Sequence, residues 1–506
     1  MTSKDVSRRS FLASALLVGA TAATATAGLA ACTDDDQEDD TGVGGASVGG
    51  SSDSETTDIV IVGAGLAGLV AGLKALELGA KATIIEKQPE GKIGGNSIIA
   101  GGLFALPMQD TAQQVEIYYQ DMMHKSSDQA DPALTRKMAE NAYESYYWLL
   151  DQGAELADPY QILPYQVNGV FAKPALYQGM PAVFDLLLKN YLDAGGVIHY
   201  DSKFKSLVTD NKTGRVVGAT AKGPDGLIEI VGKAVILASG GYAGNKLLLE
   251  QYLGADADLS MVRGCTYMTG DALAPAQAVG AQLLQMAGMT SVHVGAVHPD
   301  NVASSNPGTA VPWLVAINTE GKRFIDESLG YQAHGKAVMN QPGSMDALVM
   351  DSVIAEIPTV RPLTLDLYER LGITVQQSDT LEGLAAKIEV PVETFVATIN
   401  EYNAHVSSDE TASGMAVNKA ATAFKIETPP FYAFWPLRPG ITLTFGGLSI
   451  DDTCQVLEAD LAPVDGLYAA GEITGGFFNN DYIGGSSLMR SLCFGLIAAE
   501  SAVSSY

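Results

Sequence analysis

The sequence predicts an α/β protein: a doubly wound parallel sheet of the Rossmann type, interrupted by an inserted α+β domain. Three observations predict it. Residues 58 to 88, "DIVIVGAGLAGLVAGLKALELGAKATIIEKQ", read as an apolar strand, a glycine turn, an amphipathic helix and a second strand that ends in an acid. Two later apolar strands, in "KAVILASGGYAGN" (233 to 245) and "APVDGLYAAGEITGG" (462 to 476), run into glycine pairs of their own. Between "HPDN" at residue 298 and "ITLTFGG" at residue 441 the pattern changes to mixed helix and strand with polar loops, as an inserted domain requires.

The first turn carries Gly63-x-Gly65-x-x-Gly68, with Glu86 closing the second strand about twenty residues on. The glycines allow a tight turn, close approach of the backbone to a diphosphate, and close packing of helix on strand. The helix amino terminus then offers unpaired N–H groups to the diphosphate, and Glu86 holds a ribose. The ligand expected is a dinucleotide; FAD and NAD both remain open at this point. The last helix is expected in "SSLMRSLCFGLIAAESAV", where Leu488, Leu492 and Leu496 recur at helical spacing behind a serine-rich start suited to capping.

A chain of 506 residues, 47% of them hydrophobic, buries a large core and divides into two unequal domains. The expected boundaries are 58–296 with 444–506 for the doubly wound domain, and 297–443 for the insert. A net charge of -28, from 30 Lys and Arg against 58 Asp and Glu, excludes a nucleic-acid partner, because phosphate backbones need clustered cations.

Residues 1–31 stand apart. Ser7-Arg8-Arg9-Ser10-Phe11-Leu12 has the pattern of a twin-arginine export signal, and the Ala-, Thr- and Gly-rich stretch behind it is too weakly apolar for a spanning helix. It stops at Leu29-Ala30-Ala31-Cys32, similar to the lipobox at which bacterial lipoproteins are cleaved and acylated on the cysteine. Residues 32–57, rich in Asp, Gly and Ser without apolar periodicity, read as a flexible tether. The expected location is outside the cytoplasm, on the outer face of the cytoplasmic membrane or in the cell envelope, with the lipid on Cys32 as the only membrane contact. Cys265, Cys454 and Cys493 remain in the mature part without any CxxC spacing, so no disulfide framework, metal site or attached haem is expected.

Taken in order, "GAGLAG", "EK", "GGNS" (94 to 97), "LASGG", "TGDAL" (269 to 273), "GKRFIDE" (321 to 327), "TFGGLSID" (444 to 451), "GLYAAGE" (466 to 472) and "YIGGSSL" resemble the flavoprotein family of fumarate reductase and succinate dehydrogenase. That family includes urocanate reductase and the 3-ketosteroid dehydrogenases, and the match runs through nearly all of residues 58 to 503. The resemblance implies noncovalent FAD and a cap domain over the flavin. It places Gly63, Gly65, Gly68 and Glu86 on the ADP half of FAD, and Gly94, Gly95, Asn96 and Ser97 along the phosphates and flavin edge, with Gly101, Gly102, Ser239 and Gly240 also on the cofactor. Asp271 and Glu472 meet ribityl or adenosine hydroxyls. Ser487 and Leu488 direct N–H groups at flavin N1 and O2, where the reduced ring carries negative charge.

The chain departs from the dicarboxylate members where they hold their charges. The catalytic arginine four residues after the glutamate of the "GKRF-x-[ND]-E" motif is Tyr331, and the carboxylate-binding arginine before the last "GG" is Tyr482. Thr442 and Leu443 replace the histidines of the "HHTMGG"-like stretch, and Pro307 and Ala310 stand where the proton relay belongs. A buried dianion without counter-charges loses several kcal/mol per ion, so fumarate is not the expected substrate. The two tyrosines are similar in place to those of 3-ketosteroid dehydrogenases. By that resemblance Tyr482, with an N–H of the Gly484-Gly485-Ser486 turn, holds a carbonyl conjugated to a C=C bond, while flavin N5 gives hydride to the β-carbon and Tyr331 gives the α-proton. The steroid pattern "Y-x-G-x-G" has Ser486 here in place of its second glycine. His298 falls near a family histidine that binds substrate, and Thr442, Gly485 and Ser486 complete the expected substrate contacts.

The expected function is therefore reduction of an enone, steroid-like in shape, or of an aromatic enoate. Alternatives are a ketosteroid-type dehydrogenase running in reverse, a fumarate- or urocanate-type enoate reductase, and a flavin-bearing binding lipoprotein without turnover. Without haem or iron-sulfur spacing, electrons must come from outside the chain, from a membrane quinol-oxidising cytochrome or a flavin carrier.

Overall fold

The computed structural model describes residues 54–162, 165–173, 179–288, 291–298, 305–479 and 481–506; Cys32, the export signal and most of the tether lie outside the described residues. The chain forms two units. The larger takes in the described residues up to Leu248 with Gly264–Thr290 and Leu443–Tyr506, and the smaller takes in Leu249–Arg263 and Ser291–Thr442.

The larger unit opens with β1 (Ile59–Val62), α1 (Leu66–Glu77) and β2 (Ala82–Ile85), then adds β3 (Val197–His199) and β4 (Ala234–Leu237). The smaller unit contains β5 (Met261–Val262), β6 (Ser291–Ala296), β7 (Val315–Asn318), α2 (Tyr331–Met339), β8 (Asp346–Met350) and β9 (Phe431–Leu443). Back in the larger unit come β10 (Gln455–Leu457), β11 (Pro463–Ala469) and α3 (Ser486–Ser504).

In the larger unit one sheet runs β10-β11-β4-β1-β2-β3, parallel throughout except for the antiparallel edge pair β10–β11. Its strands IVIV, ATII and AVIL are buried along their whole length, as parallel strands covered on both faces must be. The winding reverses between β1 and β4, and such switch points are where open α/β sheets bind ligands, at the carboxyl ends of the strands. α3 packs on α1 at a glycine: a Cβ on Gly495 would lie 2.8 Å from the Ala67 carbonyl oxygen. Just ahead of Asp58 the short strand Glu55–Thr56 pairs with Gly226–Val231.

The smaller unit is built around β9, which pairs with β5, β6, β8 and the short strand Gln376–Ser378. Leu249–Arg263 groups here because β5 pairs with β9, a partnership that motif order does not reveal. Val294, Ile317, Leu348 and Phe434 lie in its buried core. At the end of β9, Gly440 lets two segments close in, since a Cβ there would meet the His293 carbonyl oxygen at 3.1 Å and the Arg263 Cβ at 3.2 Å. Among the described residues no helix is long and apolar enough to cross a membrane.

Candidate active site

At the carboxyl end of β1 the backbone is shaped to admit a ligand. Gly63 has φ of 103°, and a Cβ on it would sit 2.6 Å from the Ala238 carbonyl oxygen; on Gly68 it would sit 1.9 Å from the Gly63 carbonyl oxygen. α1 begins at Gly65 with no side-chain cap and no acid in its first turn, so its leading N–H groups remain available to a diphosphate. Glu86, buried at the end of β2, accepts from the Ala64 N–H at 2.7 Å and the Gln88 N–H at 2.8 Å, which fixes its carboxylate beside the turn. Burial raises the Glu86 carboxyl above its ordinary range against the pull of those N–H groups. After β4, Gly240 is left-handed with φ of 78°, and the neighbouring Ser239 Oγ is buried without a partner.

A second layer ties distant segments to this turn. Gly94 and Gly95 have φ of 119° and 53° and start a short helix that carries Asn96 and Ser97. Asn96 donates to Glu472 at 2.8 Å and accepts from the Cys265 N–H at 2.7 Å. The other Glu472 oxygen takes the Thr444 N–H at 3.1 Å. Burial pushes the Glu472 carboxyl up, and Asn96, Thr444 and Arg490 offset part of that rise. A Cβ on Gly241 would lie 2.3 Å from this carboxylate, so the approach is close. Asp271 is held by Lys87 at 2.7 Å and by Thr269 at 3.0 Å; burial would raise its carboxyl, but Lys87 and Lys203 outweigh burial and lower it. Gly101 and the left-handed Gly102 lead into the strand Leu103–Pro107. Open helix amino termini, glycines that a Cβ would block and an orphaned hydroxyl together fit a dinucleotide lying across the switch point.

α3 begins differently from the capped helix expected of its serines. Its cap is Gly485 with φ of 92°, and no side chain caps it, which leaves the N–H groups of Ser487 and Leu488 in its first turn open as an anion site needs. Ser486 is fully buried, and its N–H is committed to the Ile483 carbonyl at 3.0 Å, so this N–H of the turn is not open to a ligand. The Tyr482 ring is set between Phe445 and Phe478, with centroids 5.7 and 5.4 Å away. Arg490, one turn into α3, is completely buried beneath these rings, 5.0 Å from the Phe478 centroid. Leu488 is buried, and the Ser487 Oγ accepts from Arg490 at 3.4 Å.

In the smaller unit Tyr331 is the first residue of α2, preceded by Gly330 with φ of 92°. A buried ion cluster fixes the approach to it. Glu327 receives Arg323 at 2.8 and 3.1 Å, with Lys419 at 3.7 Å, and also accepts from the Ala316 N–H at 2.9 Å. Burial would raise the Glu327 carboxyl, but Lys419 and Arg323 prevail and lower it, while burial brings Lys419 down to about 8. The Tyr331 ring stacks on His293, centroids 4.8 Å apart and planes within 22°. Arg263 Nη1 lies 3.3 Å from His293 Nδ1 and donates to Thr442 Oγ1 at 3.1 Å. A guanidinium only donates, so Nδ1 is the acceptor and neutral His293 carries its proton on Nε2. Burial, then the Arg263 charge, hold His293 well below the usual histidine range. His298 is partly exposed just past the end of β6.

The model of the FAD binding domain family matches residues 58–488. The chain belongs to this FAD-binding family. It is 31% identical over 460 residues to a probable fumarate reductase, Ifc3, of Shewanella frigidimarina, covering 89% of this chain and 75% of that one. It is 30% identical to an NADH:acrylate oxidoreductase of Vibrio harveyi, over 88% of this chain and 50% of that longer protein. Among solved structures, the open conformation of a flavocytochrome c3 fumarate reductase superposes with a TM-score of 0.73 at 29% identity, covering 90% of this chain and 79% of that one. The cradle of this flavoprotein is therefore an FAD cradle.

Three charged or polar groups of the flavoprotein escaped sequence reasoning. Arg490 had a visible sign, a lone cation in the otherwise uncharged opening of α3. Arg263 and His293 had none, because only the pairing of β5 and β6 with β9 brings them to Thr442 and Tyr331.

Proposed function

We propose that this flavoprotein is an FAD-dependent oxidoreductase acting on CH–CH groups, which reduces the C=C bond of an α,β-unsaturated carbonyl compound. The observation that carries the reading is Tyr331, at the opening of α2, held by the buried Glu327 cluster and backed by a neutral imidazole. When bound, FAD supplies the electron pair, as hydride from N5 to the β-carbon. Tyr331 is assigned the proton for the α-carbon, a role that typically gives 10² to 10⁴ in rate, as an order of magnitude. Tyr482, fixed between Phe445 and Phe478, is assigned the carbonyl oxygen.

Arg263 favours a second reading within the same reaction class. A guanidinium beside His293, the ring that stacks on Tyr331, together with Thr442 suits a substrate that carries one carboxylate, an enoate rather than a plain enone. The relatives named for fumarate and acrylate support that direction. The Tyr331 and Tyr482 replacements still speak against a dianion. The electron donor is assigned to another protein, a membrane quinol-oxidising cytochrome or a flavin carrier. The twin-arginine pattern and Cys32 support an exported enzyme held by a lipid.

Anaerobic photoreduced protein, offered a cyclic enone, a steroid enone, cinnamate or fumarate, tests both readings. Reoxidation by an enone or by cinnamate, and not by fumarate, is expected; cinnamate faster than the enones favours the second reading. A flavin that stays reduced with all four, or is oxidised fastest by fumarate, refutes the proposal.

A further inference from the structure

Arg490 is a buried cation without a matching anion. Its residue is 0% exposed, and its Nε and Nη1 have no hydrogen-bond partner. Only Nη2 has one, the Ser487 Oγ at a long 3.4 Å. Among the described residues no carboxylate lies within ion-pair distance of it. The acid whose charge it feels, Glu472, spends its oxygens on Asn96 and the Thr444 N–H. The faces of Phe478 and Phe477, 5.0 and 5.5 Å from Cζ, return part of the desolvation cost and cannot neutralise the charge. Burial accordingly brings the guanidinium down to about 10, with Glu472 and then Tyr482 opposing. A protein that keeps such a group in an apolar setting holds it for a charge that arrives later.

Reduced FAD supplies that charge. Two electrons and one proton from the external donor turn the neutral isoalloxazine into an anion, with the negative charge at its pyrimidine end. We infer that Arg490 sets the midpoint potential of the FAD: a cation stored behind the first turn of α3, acting through a low-dielectric interior without touching the ring, favours the reduced form. It is a positioning residue for charge, since its unpartnered nitrogens are closed off from any ligand. The inference rests on the proposed placement of Ser487 and Leu488 against the flavin.

Midpoint potentials from dye equilibration of the FAD-loaded protein test this without any substrate. Arg490→Met, which removes the charge and keeps an apolar side chain of similar length, is expected to favour oxidised flavin at least tenfold, a fall of about 30 mV for a two-electron couple. Arg490→Lys should recover at least half of that shift. A purely structural role would cost thermal stability or FAD content in both variants and leave the potential of the bound flavin in place. Ser487→Asp separates the inference from the reading beneath it. If Ser487→Asp moves the potential and Arg490→Met does not, the role of Arg490 is overturned; if neither moves it, the placement of α3 has failed as well. Should Arg490→Met not retain FAD, the wild-type protein still decides. Its potential should fall by about 30 mV per pH unit down to about pH 5, one proton per two electrons. Twice that slope above about pH 6 means a neutral reduced flavin and overturns the inference.

Discussion

Replacing Glu327 by Gln should cost the smaller unit much of its stability. The Arg323 and Glu327 side chains are 5% and 0% exposed, and Lys419, 3.7 Å away, is 0% exposed. The substitution leaves two buried cations facing an amide, and breaking a buried pair in this way costs about 3–5 kcal/mol. Urea slopes of about 1–3 kcal/mol per molar for small domains convert this to a midpoint lower by about 1 M or more. Of the three tryptophans, Trp313 and Trp435 lie in the smaller unit and Trp148 in the larger, so fluorescence in a Trp148→Phe background follows the smaller unit alone. Adding Lys419→Met to Glu327→Gln removes one orphaned cation and should restore about half of the loss. A midpoint for Glu327→Gln within about 0.2 M of the parent, less than about 0.6 kcal/mol at those slopes, refutes the view that this cluster is what holds the start of α2.

Other expectations concern the cofactor and the chemistry. Gly68→Ala, whose Cβ would fall 1.9 Å from the Gly63 carbonyl oxygen, should yield protein without FAD absorbance, and full flavin content would contradict the cradle. Tyr331→Phe should lower turnover about 10² to 10⁴-fold while FAD stays bound, measured by anaerobic reoxidation. Tyr482→Phe should weaken turnover of carbonyl substrates by about 10² to 10³-fold, the usual loss of one oxyanion donor, and unchanged rates would remove it from the mechanism. His293 should show the neutral Nε2–H tautomer by imidazole ¹⁵N resonances at pH 6, because burial and then Arg263 lower its affinity for a proton. The unfolded chain takes up that proton near pH 6.5 and the folded one does not, so this residue makes the protein less stable as the pH falls below about 6.5.

The doubly wound sheet was legible because its strands are short apolar runs that each end in a motif, and burial on both faces enforces that pattern. The glycine turn at Gly63 could be read for a similar reason: a position where a Cβ meets backbone tolerates glycine alone. Arg263 and His293 could not be read. His293 sits on, and Arg263 directly after, a short strand whose neighbour, β9, is remote in sequence, and pairing across such gaps leaves no local period. The serines opening α3 misled for a chemical reason. Serine is the usual cap, yet the fold leaves that helix end uncapped behind a left-handed glycine, where an anion can use the N–H groups.

The bond between Asn96 and Glu472 spans 376 positions, and it has a bearing on synthesis. A ribosome that has reached residue 460 has already made β1, α1, β2, β4 and the whole of the smaller unit, but neither Glu472 nor α3. The nascent polypeptide thus owns its glycine turn long before it owns the far wall that closes on it. Yellow colour in a purified preparation is therefore expected only after translation through to the last helix, and premature termination should yield colourless protein however much of the sheet has formed.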